Sequence, residues 1–189
     1  MSVTGEALEV VTRSADETRS VGAAIAAVVT PGDVVLLTGE LGAGKTVLTK
    51  GLVAALGGDE STRSPTFTLC HLYPTVPPVA HVDCYRVAPT DDLADLALDD
   101  ALDDGCVVVV EWGERIRGLL AADALECEIV AEPPTSAAFA GASDADRRQI
   151  TLRGRGVAWA GRGGTLTAAL ERAGLAVDVR GDDPGRGPQ

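Results

Sequence analysis

Positive charge is scarce in this chain. Its 189 residues carry 16 basic side chains against 28 acidic ones, a formal net charge of −12. A broad phosphate-gripping face for nucleic acid needs the opposite balance and is excluded. Any anion bound here must be held by a focused site. Only two of the basic residues are lysines, Lys45 and Lys50, and there is no asparagine at all. No apolar run approaches the roughly 18 residues of a membrane-spanning helix, so no membrane role is expected. The first 20 residues include Glu6, Glu9, Asp16 and Glu17 and lack a basic-then-apolar start. No secretory signal is therefore expected, and the expected location is cytoplasmic. Cys70, Cys84, Cys106 and Cys127 are never two or three positions apart, which removes zinc-knuckle and redox-pair spacings. They read as reduced, mostly buried small hydrophobes.

What is present suggests one domain over residues 1–175 and a tail over 176–189. From Val177 onward the chain is mostly Gly, Asp, Pro and Arg, too poor in apolar groups to order itself. Val21, Ala24, Ile25 and Val28 recur at helical spacing within residues 18–29. Val34-Val35-Leu36-Leu37 is a continuous apolar run, as in a strand buried on both faces. Glycines follow, then a helical pattern over 46–56. Strands are expected at 68–73, 79–84, 106–110, 126–130 and 149–152. Helices are expected at 90–102, with Thr90 as N-cap and Asp91 and Asp92 in the first turn, and at 165–173. The alternation predicts an α/β fold with a mainly parallel sheet flanked by helices and antiparallel additions toward the C-terminus.

Gly39-Glu40-Leu41-Gly42-Ala43-Gly44-Lys45-Thr46 matches G-x-x-x-x-G-K-[ST] in full, between a predicted strand and a predicted helix. Glycines let successive amides curl inward as an anion nest, and the helix beginning near Gly44 adds its positive end. The expected phosphate cradle is Glu40, Leu41, Gly42, Ala43, Gly44, Lys45, Thr46 and Val47. Lys45 would meet the terminal phosphates and Thr46 would offer its hydroxyl to Mg2+. A compact ammonium fits inside such a loop where the planar fork of arginine does not, which accounts for a lysine in an arginine-rich chain. A plain connecting turn would not need both glycines, the lysine and the threonine at fixed offsets. Without asparagine the chain cannot carry the Asn-Lys-x-Asp motif that reads guanine, so ATP is the expected nucleotide.

A phosphate loop of this kind works with an acidic residue at the end of a neighbouring strand. Glu111 follows Val107–Val110 and Asp83 follows Val79–Val82, so both can face the phosphates beyond the carboxyl ends of the strands. Either could instead be a helix cap or a surface carboxylate. Lys45, Asp83 and Glu111 are the candidate catalytic residues, and Thr46 and Glu111 the candidate metal ligands. Arg115 and Arg117 are possible lid residues on a short segment.

Four motifs stand in order: the 39–46 loop, Ser64-Pro65-Thr66-Phe67, His81-Val-Asp83-Cys-Tyr85-Arg86 and Glu111-Trp112-Gly-Glu114. Over about residues 15–155 this resembles the TsaE (YjeE) family, the ATPase component of bacterial threonylcarbamoyladenosine modification of tRNA. The resemblance implies a P-loop NTPase-like fold, with ATP and Mg2+ as cofactors and Glu111 as the second protein group near the metal. It implies that Asp83 is needed for hydrolysis and that Ser64-Pro-Thr66 forms a switch-like loop. Thr18 would lie near the adenine. The implied partner is the tRNA threonylcarbamoyltransferase heterodimer of TsaD/TsaB type, with tRNA engaged only indirectly. Cys84 stands where the family usually has leucine, a mild apolar exchange.

Other residues admit blander readings. His81 reads more readily as a packed strand histidine than as a base. Trp112 can be core or interface, Arg86 an ion-pair partner, and Arg147 and Arg148 surface charges. The seven aspartates from Asp91 to Asp104 read as a solvated face or an acidic docking surface. Two other functions fit the same loop: a small-molecule kinase, or a nucleotide-sensing scaffold without turnover.

Overall fold

The structure is a computed structural model, and it describes residues 4–59, 70–86, 98–116, 123–132 and 146–181. Eight strands form one sheet: β1 (Thr4–Thr12), β2 (Val34–Thr38), β3 (Cys70–Tyr73), β4 (Val79–Asp83), β5 (Val107–Glu111), β6 (Ala124–Ala131), β7 (Arg148–Arg155) and β8 (Val177–Arg180). Among the described residues four helices accompany them: α1 (Ala15–Ala26), α2 (Lys45–Ala55), α3 (Leu98–Asp103) and α4 (Gly163–Arg172). The strand order is β3-β4-β5-β2-β6-β7-β1-β8.

The sheet is mixed: the expected antiparallel additions toward the C-terminus are present in β6–β7, β1–β7 and β1–β8, while parallel pairing is less extensive than expected. Among the described residues β2 runs parallel to β5 and β6, and β4 parallel to β5. The other four ladders, β1–β7, β1–β8, β3–β4 and β6–β7, are antiparallel. Strand direction follows the connections: the β3–β4 link is a short turn that only an antiparallel pair accepts. Val177 and its neighbours overturn a second expectation. Residues 177–180 form β8, an edge strand paired with β1 from Ala7↔Arg180 to Val10↔Val177. Four residues alternating apolar and polar can add to an existing edge although their surroundings are polar. β1 was not anticipated at all. The expected helix at 90–102 is described only from Leu98, so Thr90, Asp91 and Asp92 lie outside the described residues. So do Ser64-Pro65-Thr66-Phe67 and Arg117.

Two apolar layers hold the sheet. On one face Leu8, Val10, Val35, Leu37, Leu125, Ile129, Ile150 and Leu152 pack against Val21, Ile25, Leu48, Leu52, Leu166 and Leu170 of α1, α2 and α4. On the other, Val34, Leu36, Ala80, Val82, Val108 and Val110 meet Leu98, Ala101 and Ile116. Such burial on both faces explains why β2 and β5 read as unbroken apolar runs.

Ser14 caps α1, its hydroxyl accepting the Glu17 amide, while Glu17 reaches back to the Arg13 amide at 2.7 Å. Helices α1 and α2 touch backbone to backbone. A Cβ on Gly22 would stand 2.0 Å from the Leu48 carbonyl oxygen, and one on Gly51 2.0 Å from that of Arg19. Only glycine permits that approach, and it seats α2, the helix that follows the 39–44 loop, firmly on α1. All four cysteines are free. Burial pushes the Cys84 thiol up to about 12, and it raises Cys127 as well, so both are unreactive.

Candidate nucleotide site

Because β2, β4 and β5 are parallel, their carboxyl ends open onto one rim of the sheet, where ligands of open α/β sheets bind. The 39–44 loop leaves β2 there. Gly39 adopts φ 137°, and a Cβ on it would lie 2.2 Å from the Ile129 carbonyl oxygen. Gly44 stands at the N-cap of α2 with φ 117° and offers no side chain, so the first amides of the helix remain open toward the rim. The resulting cleft, about 340 Å3, is lined by Leu41, Gly42, Gly44, Lys45, Thr46 and Val47 from this loop and by Asp83, Tyr85, Glu111 and Trp112 from across it.

Lys45 lies inside the loop, 4% exposed, with Nζ donating to the carbonyls of Gly39 at 2.6 Å and Glu40 at 2.9 Å. Its ammonium also sits 3.8 Å from the centre of the Trp112 ring. Burial lowers its pKa below the ordinary lysine value, and the charges of Glu111, Glu114 and Asp83 oppose that shift. Trp112 is held over the lysine by a left-handed backbone at φ 62°. Such a conformation is uncommon for a non-glycine residue and clusters at functional positions. Tyr85 stacks beside it, ring centres 5.1 Å apart, and the Arg115 guanidinium lies 5.8 Å from the Tyr85 ring.

Thr46 and Glu111, 65 positions apart, meet at the cleft floor. The threonine hydroxyl lies 2.7 Å from Oε1 and 3.0 Å from Oε2 of the carboxylate. Asp83 is the ladder partner of Glu111 and only 6% exposed; its Oδ1 accepts the Tyr85 amide at 2.9 Å. The expected loop, Lys45, Thr46, Asp83 and Glu111 are thus brought together. Glu40 is exposed at the loop tip and Ala43 is buried beneath it. Thr18 is placed differently from the other candidates. It is buried behind the loop, its hydroxyl 3.0 Å from that of Thr12 and donating to the Ser14 carbonyl. Its methyl lies 3.6 Å from where a Cβ on Gly44 would be, so it backs the 39–44 loop.

The donors at the floor are all hard oxygens, from a hydroxyl and carboxylates. Among the described residues no group of three or more His, Cys, Asp or Glu converges as a cage. That set suits Mg2+, which is typically held by one or two protein oxygens, water and substrate phosphates.

Arg148 is the residue that the sequence did not reveal. Its Nε donates to the Ala43 carbonyl at 2.9 Å, tying β7 to the loop from 105 positions away. Nothing local to Arg147-Arg148 signals this; it follows from β7 lying next to β6 in the sheet.

Among the described residues no helix is long and apolar enough to cross a membrane. A family model described as threonylcarbamoyl adenosine biosynthesis protein TsaE matches residues 12–138. The chain is 40% identical over 146 residues to the tRNA threonylcarbamoyladenosine biosynthesis protein TsaE of Streptomyces coelicolor, covering 75% of this chain and 93% of that one. It is 40% identical over 115 residues to the protein of the same name from Bacillus subtilis, covering 60% and 72%. The crystal structure of Bacillus subtilis YdiB superposes with a TM-score of 0.64 at 29% identity, covering 91% of this chain and 97% of that one. A loop of this spacing, its partner carboxylates and these likenesses agree, and the chain belongs to the TsaE family of threonylcarbamoyl adenosine biosynthesis proteins.

Proposed function

We propose that this protein is a Mg2+-dependent ATPase with a P-loop NTPase-like fold, and that its turnover supports N6-threonylcarbamoylation of tRNA by a partner complex. The observation that carries the reading is the contact between Thr46 at the start of α2 and Glu111 at the end of β5, beside a lysine already inside the glycine loop. The loop amides and the α2 N-terminus hold the phosphates, and Lys45 exchanges two backbone carbonyls for phosphate oxygens. Thr46 and Glu111 would hold Mg2+, which when bound would supply charge neutralisation at the phosphate oxygens. Asp83, beside Glu111 on the ladder, orients the attacking water. Thr18 and Arg148 support the loop from behind and from the side.

The net charge of −12 favours a protein that meets tRNA only through a partner, here the threonylcarbamoyltransferase heterodimer of TsaD/TsaB type. The cytoplasm is the compartment this reading requires. The test is phosphate release from Mg-ATP by the purified chain, with and without that heterodimer. Release is expected to be slow alone, faster in the complex, and lost in Lys45→Ala. Unchanged release in Lys45→Ala would remove the site assignment, and no release under any condition would remove the ATPase reading.

A further inference from the structure

We infer that His81 is a positioning residue that fixes the orientation in which Glu111 presents its carboxylate to Thr46 and the metal. The inference rests on the ATPase reading and deepens it. His81 and Glu111 project from neighbouring parallel strands, whose register pairs Asp83 with Glu111 and His81 with Val109. Residues two apart on a strand share a face, so the imidazole stands one step below the carboxylate on the same side of the sheet. His81 is fully buried and Glu111 is 4% exposed. The His81 Nε2 lies 2.9 Å from Glu111 Oε1, the oxygen that also accepts the Thr46 hydroxyl. An ionised carboxylate only accepts, so Nε2 carries the proton and donates.

The other ring nitrogen, Nδ1, is buried and has no hydrogen-bond partner among the described residues. A side chain whose sole task was to fill the floor would be better served by an apolar group than by a ring with an unmatched nitrogen. What the histidine contributes is the one bond to Glu111. That bond has a specific use. Among the described residues, Thr46 and His81 are the side chains that bond the Glu111 oxygens. Lys45 lies close enough for Glu111 to be its foremost carboxylate attraction, yet its ammonium is bonded to Gly39 and Glu40 instead. Glutamate has three rotatable bonds. Freed from His81, its carboxylate can swing onto Lys45, and one ion pair would then occupy both the phosphate lysine and the metal carboxylate.

The experiment compares wild type, His81→Leu and His81→Gln, measuring affinity for a fluorescent ATP analogue with and without Mg2+, alongside melting temperature. Glutamine can place an N–H donor near the position of Nε2; leucine cannot. His81→Leu is expected to lose some metal-free affinity, because Glu111 then competes for Lys45, and beyond that to need on the order of tenfold more Mg2+ to reach tight binding, as for loss of a group that orients a metal ligand. His81→Gln is expected to recover most of that loss. An unchanged Mg2+ requirement in His81→Leu overturns the inference. So does an equal loss with and without metal, or a glutamine variant no better than leucine. Should His81→Leu not fold, His81→Phe keeps the ring volume and takes its place, and failure of both to fold assigns the residue to the core and overturns the inference. If wild type itself shows no Mg2+-dependent gain in affinity, the ATPase reading has failed first, which separates the two outcomes.

Discussion

Two buried carboxylates sit at opposite ends of the parallel strands and are matched in opposite ways. Asp33, just before β2, is 5% exposed and fully provided for. Its Oδ2 accepts the Thr30 amide at 2.6 Å and the Thr30 hydroxyl at 3.1 Å, and it pairs with the Arg162 guanidinium at 2.5 Å. Glu111, just beyond the other end, is equally buried, but its hydrogen-bond partners among the described residues are a hydroxyl and an imidazole. Arginine pairs with Asp33, whereas Glu111 lines a cleft open to solvent and next to a glycine loop. A buried carboxylate paired to a full cation is a structural clamp. One supported by a hydroxyl and an imidazole and facing a cleft is a place for a cation to arrive.

The largest expected effect tests that contrast directly. Glu111→Gln is expected to lower phosphate release by on the order of 100-fold while leaving the melting temperature nearly unchanged. Asp33→Asn is expected to do the reverse. Leaving Arg162 without its carboxylate should cost ~2 kcal/mol, a drop of roughly 4–8 °C for a chain this size, with turnover at saturating ATP unaffected. If both variants lose the same property, the contrast is wrong. The next effect sharpens it. Arg148 is a cation at the site end whose Nε bonds the loop backbone at Ala43 while its guanidinium lies 4.0 Å from the Asp146 carboxylate, so Arg148→Ala should weaken ATP binding about fivefold through loss of roughly 1 kcal/mol of loop support. Calorimetric titration with ATP reads this; an unchanged affinity would make the arginine a surface charge after all.

Removal of β8 by truncation after residue 176 is expected to lower the melting temperature by a few degrees, since it bares one edge of β1, and to leave ATP affinity unchanged. Loss of nucleotide binding in that truncation would show that the two ends are not independent. The smallest effect is in pH. Burial holds the Lys45 pKa below 10.5, so its charged form is disfavoured in the empty protein relative to the unfolded chain. Raising the pH through that lowered value therefore adds slightly to the stability of the empty protein, while ATP affinity falls as the ammonium is lost. Melting curves and binding titrations across that window should move in opposite directions, and Lys45→Met should abolish both slopes.

The site was more legible in the sequence than the sheet that carries it. The glycine loop, Lys45 and Thr46 are contiguous, so their geometry is a local matter of φ angles and a helix start. Glu111 and Asp83 were legible because each ends a run of buried strand residues. The antiparallel additions toward the C-terminus were legible, but the antiparallel β3 edge and the N-terminal β1 were not, because direction is a property of connections and partners, not of apolar pattern. β1 places Leu8 and Val10 on the core face, yet Val11 blurs the alternation and both neighbours of the strand come from the far end of the chain. Averaging composition from Val177 onward hid Val177 and Val179, the apolar positions of a four-residue strand that suffices for an edge. The Thr46–Glu111–His81 contacts join three separate segments, and only their assembly at one rim makes them a unit.

The placement of β1 has a consequence for how the chain is made. Its neighbours are β7 and β8, and the side chains of Glu9 and Gln149 that join β1 to β7 lie 140 positions apart. At ~5–20 residues per second a ribosome needs roughly 7–30 s to span that gap. For that interval the first strand lacks both of its sheet neighbours, while the 39–44 loop and its helix are already synthesised. The rim that carries the glycine loop can thus assemble on the nascent chain before its own N-terminus has found a home.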